Sequence, residues 1–330
     1  MIDEIESPAS DDISKERVEA MRRELSDLSQ LNAAMFGQMF SDELAKKEFF
    51  AAEYDKTDRM RDDCDVTRGW DLRIEGDFYL VKRIHNYIYV IVGDATGHHA
   101  YAGGLQVFVA AALQSIFDYF TKRGRPPTST KVLNELNQFF VRVGRAALIE
   151  TKKPLEHGTD AIVIRVETTR KTRNGTTKKI TFASAGLPVI ALSSNGPVSY
   201  GYNFRDSKGI SFPVDLETAT QFEPEKGSID IRNTRFLAVV TDGFRGLERE
   251  PRRTEAAGGM GATETFGDAR VRRALVSAVA TVAKVHAIQA PAAAIASALV
   301  ESARGFRRGY MIPETSDDDR LVVIIDLDAI

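Results

Sequence analysis

Hydrophobic residues are arranged along the chain in two patterns, which predict strands and helices. Short runs rich in β-branched and aromatic residues predict strands. These runs lie at 86–92, 160–168, 179–192, 235–243 and 319–330, with a short additional one near 228–233. Longer segments repeat apolar residues every three or four positions and predict helices. These segments lie at 100–124, 128–144, 268–285 and 290–306.

The order of these elements predicts an α+β fold. Asn174-Gly175, between two strand runs, is a strong hairpin signal and requires antiparallel pairing. The helices come in pairs and do not alternate strictly with strands, which disfavours a parallel sheet. We therefore expect antiparallel sheets stacked on each other with helices outside. In the first long helix, Leu105, Phe108, Ala112 and Ile116 share the face that we expect to be buried.

The N-terminal part of the chain is predicted to be a separate helical extension. Residues 1–12 are acidic and are expected to be disordered. A helix is expected from Ser14 to about Tyr54, within a regulatory segment and linker at 13–64. Its apolar spacing, with Asn32 in a core position, fits two alternatives: a dimeric coiled coil through residues 14–40, or an amphipathic helix docked on its own domain. The main domain is expected at 65–330, with mobile loops at 202–215 and 248–265.

Composition bears on the partners and the cellular location that we expect for the chain. The 330 residues carry a formal net charge of −3, which gives no reason to expect a nucleic-acid partner. The single cysteine, Cys64, cannot form an internal disulfide. No apolar run is long enough for a membrane span, and the acidic start does not resemble a signal peptide. A cytoplasmic location is expected.

Acidic residues recur next to the predicted strands. Asp77 and the run 317–319 precede strands, whereas Asp94 and Asp242 follow them. If these strands belong to facing sheets, their ends can meet at one edge. Carboxylates that meet raise one another's pKa unless a cation neutralises them, and oxygen donors select hard cations such as Mg²⁺ or Mn²⁺. A carboxylate that bridges two such ions orders a water between them and lowers its pKa, which suits phosphoester hydrolysis.

The order of several short motifs resembles that of a known enzyme family. The motifs are GDFY at 76–79, DATGH at 94–98, AGLP at 185–188, TDG at 241–243, FGDARV at 266–271 and DDRLVVI at 318–324. In this order they resemble the SpoIIE-like bacterial branch of the PPM-type metal-dependent serine/threonine protein phosphatases, the protein phosphatase type 2C superfamily. The resemblance extends from about residue 65 to the end of the chain.

The resemblance implies a central antiparallel β-sandwich flanked by helices, and an activity that needs two Mn²⁺ or Mg²⁺ ions. It implies that Asp94 bridges the ions and that Asp77, Asp242 and Asp318 supply further carboxylates. Asp319 is an alternative to Asp318, because with three consecutive aspartates the alignment to the family motif is ambiguous by one position. The backbone carbonyl of Ala95 would complete one coordination shell.

Further residues near the expected metal edge leave alternatives open. His98 can act as a general acid for the leaving serine oxygen, or it can cap the following helix or pack structurally. Asp94 and Asp242 are the other candidate catalytic residues. Leu187 stands where the family often has His, but no departure from the family pattern removes an expected ligand.

The resemblance further implies a substrate class and a signalling setting. The expected substrate is a phosphoserine or phosphothreonine protein, of the anti-anti-sigma (STAS-like) type found in partner-switching systems. The N-terminal helix would receive an upstream regulator. Two alternatives are a catalytically degenerate binding module of the same fold and a hydrolase of small phosphoesters.

Overall fold

The computed structural model gives the positions of thirteen strands and five helices within the residues it describes. These residues are 50–54, 76–95, 100–155, 157–172, 175–193, 196–201, 209–213, 215, 222–249, 263–284, 290–308 and 320–330. The strands are β1 (Phe50–Tyr54), β2 (Asp77–Ile84), β3 (Tyr87–Ala95), β4 (Gly158–Thr172), β5 (Gly175–Ala185), β6 (Val189–Ser193), β7 (Gly196–Tyr200), β8 (Ile210–Ser211), β9 (Glu225–Ile229), β10 (Thr234–Val240), β11 (Glu248–Arg249), β12 (Glu264–Thr265) and β13 (Leu321–Asp326). The helices are α1 (Ala100–Lys122), α2 (Ser129–Thr151), α3 (Asp242–Arg245), α4 (Gly267–Lys284) and α5 (Pro291–Arg307).

Two antiparallel sheets form the centre of the fold. The first sheet has the strand order β1-β13-β10-β6-β7. The second has the order β2-β3-β4-β5-β9, with β8 also paired to β4. One apolar core lies between the sheets and contains side chains from both of them, among them Val90, Ile164, Leu237 and Val323. The predicted α+β sandwich is therefore confirmed.

Helices cover the outer faces of both sheets. Side chains of α1 and α2 pack with the outer face of the second sheet, and those of α4 and α5 pack with the outer face of the first. The order of layers is helix, sheet, sheet, helix. The predicted inner face of α1 is confirmed, because Leu105, Ala112 and Ile116 are buried there and Phe108 packs against the same core.

Strand β3 shows why the central strands read as continuous apolar runs. Val90 and Val92 point into the core between the sheets. Tyr89 and Ile91, on the other face, point into the core below the helices. A strand covered on both sides needs apolar residues at every position, so the period-two alternation of a half-exposed strand is absent here.

The turn signals give mixed results. Strands β4 and β5 pair antiparallel on either side of the predicted Asn174-Gly175 hairpin. The single strand expected over 179–192 is wrong, because the chain divides there into β5 and β6, which belong to different sheets. Gly186 lies at the break with a φ of +93°, a conformation that L side chains rarely adopt. The ends of the expected loop 248–265 pair with each other as β11 and β12.

The predicted helix from Ser14 to Tyr54 is wrong over its last five residues. Residues 50–54 form β1, which pairs antiparallel with β13 from Phe50 opposite Ile325 to Tyr54 opposite Leu321. Phe50 is buried in the core between the sheets and packs against Tyr79, with ring centroids 5.2 Å apart and ring planes tilted by 46°. The sandwich therefore includes residues N-terminal to the predicted boundary at 65, because β1 is the hydrogen-bonded neighbour of β13 and forms the edge of that sheet.

Other predictions concern residues outside the described ranges. They include the disordered tail at 1–12, the dimerisation segment at 14–40, Cys64 and most of the loop at 202–215. These remain predictions. Among the residues that the structure describes, no helix is long and apolar enough to cross a membrane.

Candidate metal and phosphoester site

Three aspartates lie side by side at one end of the second sheet. Asp77 of β2 pairs in register with Asp94 of β3, and Asp94 pairs with Asp160 of β4. Directly opposed residues in antiparallel strands have Cα atoms about 4.5–5.5 Å apart, and their side chains leave the sheet on the same face. That face is the one turned toward the first sheet, because Val92, two residues before Asp94, lies in the core between the sheets.

The first sheet contributes Asp242 at the same end. Strand β10 ends at Val240, and Asp242 begins the short helix α3. Thr241 connects the sheets directly, since its hydroxyl donates a hydrogen bond of 2.7 Å to Asp77 Oδ2. The backbone N–H of Leu321, at the start of β13, donates to the same hydroxyl at 2.9 Å. The ends of β2, β10 and β13 therefore converge, as the metal-site prediction requires.

Backbone hydrogen bonds fix the corner that carries Asp94 and Ala95. The N–H of Ala95 donates to the carbonyl of Gly76 at 3.0 Å. The Thr159 hydroxyl donates to the carbonyl of Asp94 at 2.9 Å. On the neighbouring strand, Gln106 Nε2 of α1 donates to the carbonyl of Asp77 at 2.9 Å. The predicted site therefore sits on strand ends held by neighbouring elements, and its peptide groups have little freedom to rotate.

Asp160 belongs to this edge and was missed by the sequence reasoning. A Cβ atom on Gly186 would lie 2.2 Å from Asp160 Cγ, and one on Gly209 would lie 2.2 Å from its Oδ1. Its carboxylate is therefore enclosed by two glycine backbones that leave room for it. A sequence signal existed: Asp160 directly precedes an apolar strand, as Asp77 does.

Electrostatic coupling links a carboxylate of the second sheet with one that follows the first sheet. Burial and, to a lesser extent, the negative charge of Asp242 raise the pKa of Asp160 to about 6, against a lowering effect of Arg245. The carboxylates of Asp242, which follows β10 of the first sheet, and Asp160, on the second sheet, therefore interact electrostatically. Since Asp160 is the register partner of Asp94, Asp94 and Asp242 lie at the same end of the sandwich.

The donors at this edge fit a hard divalent cation in their chemistry. They are carboxylate oxygens, which Mg²⁺ and Mn²⁺ prefer, and their mutual repulsion is what a cation would relieve. Within the described part of the chain, no three acidic, histidine or cysteine side chains are arranged so that they could hold a metal ion. The predicted ligands Asp318 and Asp319 and the candidate acid His98 lie outside the described residues. The ligand set remains a prediction.

Comparison with solved structures identifies the fold. The SiaA-PP2C domain of Pseudomonas aeruginosa matches with a TM-score of 0.59 and 17% identity, over 94% of this chain and 99% of that one. A bacterial serine phosphatase carrying a point mutation matches with a TM-score of 0.50 and 13% identity, over 84% of this chain and 97% of that one. No protein-family model matches the sequence. A search of curated proteins likewise found no relative.

The chain therefore has the fold of the bacterial PP2C-type phosphatase domains. The resemblance inferred from the motifs is confirmed at the level of the fold. At these identities the likeness concerns architecture, so activity and substrate must be argued from the site itself.

Proposed function

We propose that this chain is a metal-dependent protein phosphatase that removes phosphate from phosphoserine or phosphothreonine. The observation that supports the proposal best is the meeting of carboxylates from both sheets at one edge of a PP2C-type sandwich. Asp77, Asp94 and Asp160 line the second sheet, and Asp242 arrives from the first. The motif order supports the same chemistry independently of this geometry.

The residues proposed to hold two Mn²⁺ or Mg²⁺ ions are those implied by the motifs. They are Asp77, Asp94, the backbone carbonyl of Ala95, Asp242, and Asp318 or its neighbour Asp319. When bound, such ions supply a water of lowered pKa and neutralise the oxygens of the phosphoryl group. Asp94 and Asp242 are thus proposed as catalytic residues through the ions they hold.

The chain's own contribution is to keep these carboxylates in place. Thr241 orients the Asp77 carboxylate by its 2.7 Å hydrogen bond, and Gln106 and Thr159 hold the peptide groups beside it. Donors that are fixed before the reaction need no rearrangement as charge develops on the phosphoryl group. In hydrolysis, water oxygen bonds to phosphorus, the bond to the serine oxygen breaks, and that oxygen takes up a proton. His98 is the proposed proton donor.

The proposed setting is a bacterial partner-switching system. The motif resemblance supports a substrate of the anti-anti-sigma type, and the N-terminal segment is proposed to receive a regulator or to form a homodimer. A cytoplasmic location belongs to the same proposal.

The test is release of phosphate from a phosphoserine protein or peptide in the presence of Mn²⁺. We expect hydrolysis by the wild-type chain and a loss of at least about a hundredfold in kcat/KM for Asp94→Asn, because one ligand accounts for several kcal/mol of transition-state stabilisation. Asp118→Asn is the control, because Asp118 is exposed on α1.

Two other outcomes would replace the proposal. Preference for nucleotides or other small phosphoesters over phosphopeptides would indicate a small-molecule hydrolase. Absence of hydrolysis with every phosphoester would indicate a binding module of this fold.

A further inference from the structure

Arg245 places a positive charge at the carboxylate edge. It lies on α3, three residues after Asp242, so the two side chains leave the same side of the helical turn. The turn is closed by the N–H of Gly246, which donates to the carbonyl of Asp242 at 2.7 Å. Phe244 and Leu247 are buried on either side of Arg245 and anchor the turn in the core. The backbone that carries Arg245 is therefore firmly held.

The Arg245 guanidinium interacts with two carboxylates, those of Asp268 and Asp160. Its Nε lies 3.9 Å from Asp268 Oδ1, at the start of α4, and the Arg245 side chain is 20% exposed. Its charge also acts on Asp160, whose pKa it lowers while Asp242 raises it. Arg245 is thus partly open to solvent and electrostatically coupled to the same carboxylates as the candidate metal site.

A guanidinium at this edge can bind the phosphoryl group of a phosphoester substrate. The dianion is repelled by an edge lined with aspartates, and the cations proposed there must offset that repulsion first. A guanidinium adds paired N–H donors that match two phosphoryl oxygens, which an ammonium group cannot do in the same geometry. We propose that Arg245 binds the phosphoryl group of the substrate beside the carboxylate edge, oriented by Asp268. This inference rests on the phosphatase function proposed above.

The first test measures binding of inorganic phosphate to the Mn²⁺-supplemented protein by calorimetry. For Arg245→Gln we expect the phosphate Kd to rise about tenfold or more, because a charge-assisted pair is lost. The Kd for Mn²⁺ should stay unchanged or fall, because a positive charge leaves the neighbourhood of the ligands. If Arg245 had only a structural role, Arg245→Gln would instead weaken the binding of both phosphate and Mn²⁺.

Kinetics give the second readout. Arg245→Gln should raise KM for a phosphoserine peptide by at least the factor by which it lowers kcat. The KM of Arg245→Lys should lie between those of Arg245→Gln and the wild type. Arg273→Gln is the matched control, because Arg273 is exposed on α4. Thermal melting of each variant verifies that it is folded.

The outcomes separate this inference from the function on which it rests. Wild-type hydrolysis together with unchanged KM and phosphate Kd in Arg245→Gln would overturn the role of Arg245 and leave the phosphatase function intact. A wild-type chain that neither hydrolyses phosphoesters nor binds Mn²⁺ would overturn both.

Discussion

Asp160 carries a charge that the folded protein accommodates at a cost. Burial and the neighbouring Asp242 raise its pKa from 3.8 to about 6. Because the folded state binds this proton more tightly than the unfolded chain, the stabilising contribution is complete below about pH 4 and is lost as pH rises through about 6. At neutral pH without divalent cations, ionised Asp160 therefore destabilises the fold.

The corresponding variant is Asp160→Asn, studied with EDTA present. At about pH 7.5 we expect its free energy of unfolding to exceed that of the wild type by about 3 kcal/mol, and the difference to vanish near pH 4. Urea denaturation at the two pH values measures it, with Asp118→Asn as the exposed control. A difference that is equal at both pH values would contradict the assigned charge effect.

At the scale of residues, the sequence predicts acids that have a recognisable neighbour pattern. Asp77, Asp94 and Asp242 stand in short motifs with glycine, and the motif order identifies them. Asp160 lies in no such motif, and its place in the site follows from the register of β4 against β3. Arg245 was missed for a similar reason, since only the packing of α3 against α4 directs its side chain.

At the scale of elements, β1 is the strand whose assignment matters most. It covers the edge of β13, the strand that follows the predicted ligands Asp318 and Asp319. Phe50 is 6% exposed and lies in the core between the sheets. The N-terminal segment is therefore joined directly to the sheet that leads to the site.

Substitution of Phe50 tests this assignment. Phe50→Ala should lower the free energy of unfolding by about 3–5 kcal/mol, because it leaves a cavity between the sheets. Chemical denaturation gives the value, and Ile149→Ala is the control because Ile149 is 62% exposed. A change below about 1 kcal/mol would mean that residues 50–54 lie outside the sandwich core.

The turn at Gly186 makes a second element-scale prediction. Gly186→Ala should destabilise the protein by more than about 1 kcal/mol, because φ is positive there. The added Cβ would also meet the Asp160 carboxylate. Gly104→Ala is the matched control on α1, where a Cβ meets nothing within 4 Å and a slight gain is expected. Equal melting temperatures for the two variants would contradict the strained turn.

Strands that are buried on both faces are easy to recognise in the sequence, but their first and last residues are harder to predict. The runs that became β3, β10 and β13 were recognised from their apolar residues alone. The helix expected to continue to Tyr54 failed at residues 50–54, because pairing with β13 decides their conformation and the local pattern does not show that partner. The prediction of one strand over 179–192 failed for a similar reason. The chain divides there into β5 and β6, which pair in different sheets.

At the scale of the whole molecule, two sheets and their covering helices bring acids from distant parts of the chain to one edge. The motif order and the antiparallel hairpin predict the two-sheet sandwich, and the fold confirms that sandwich. The sequence could not supply the cross-sheet bond between Thr241 and Asp77, which depends on how the sheets stack. The central claim is that this edge holds two divalent cations.

Calorimetric titration of the full chain with Mn²⁺ tests that claim most directly. We expect about two ions per wild-type chain, and weaker or fewer sites in Asp94→Asn, while Asp118→Asn matches the wild type. Absence of Mn²⁺ binding by the folded wild-type chain, or binding that Asp94→Asn leaves unchanged, would contradict the account.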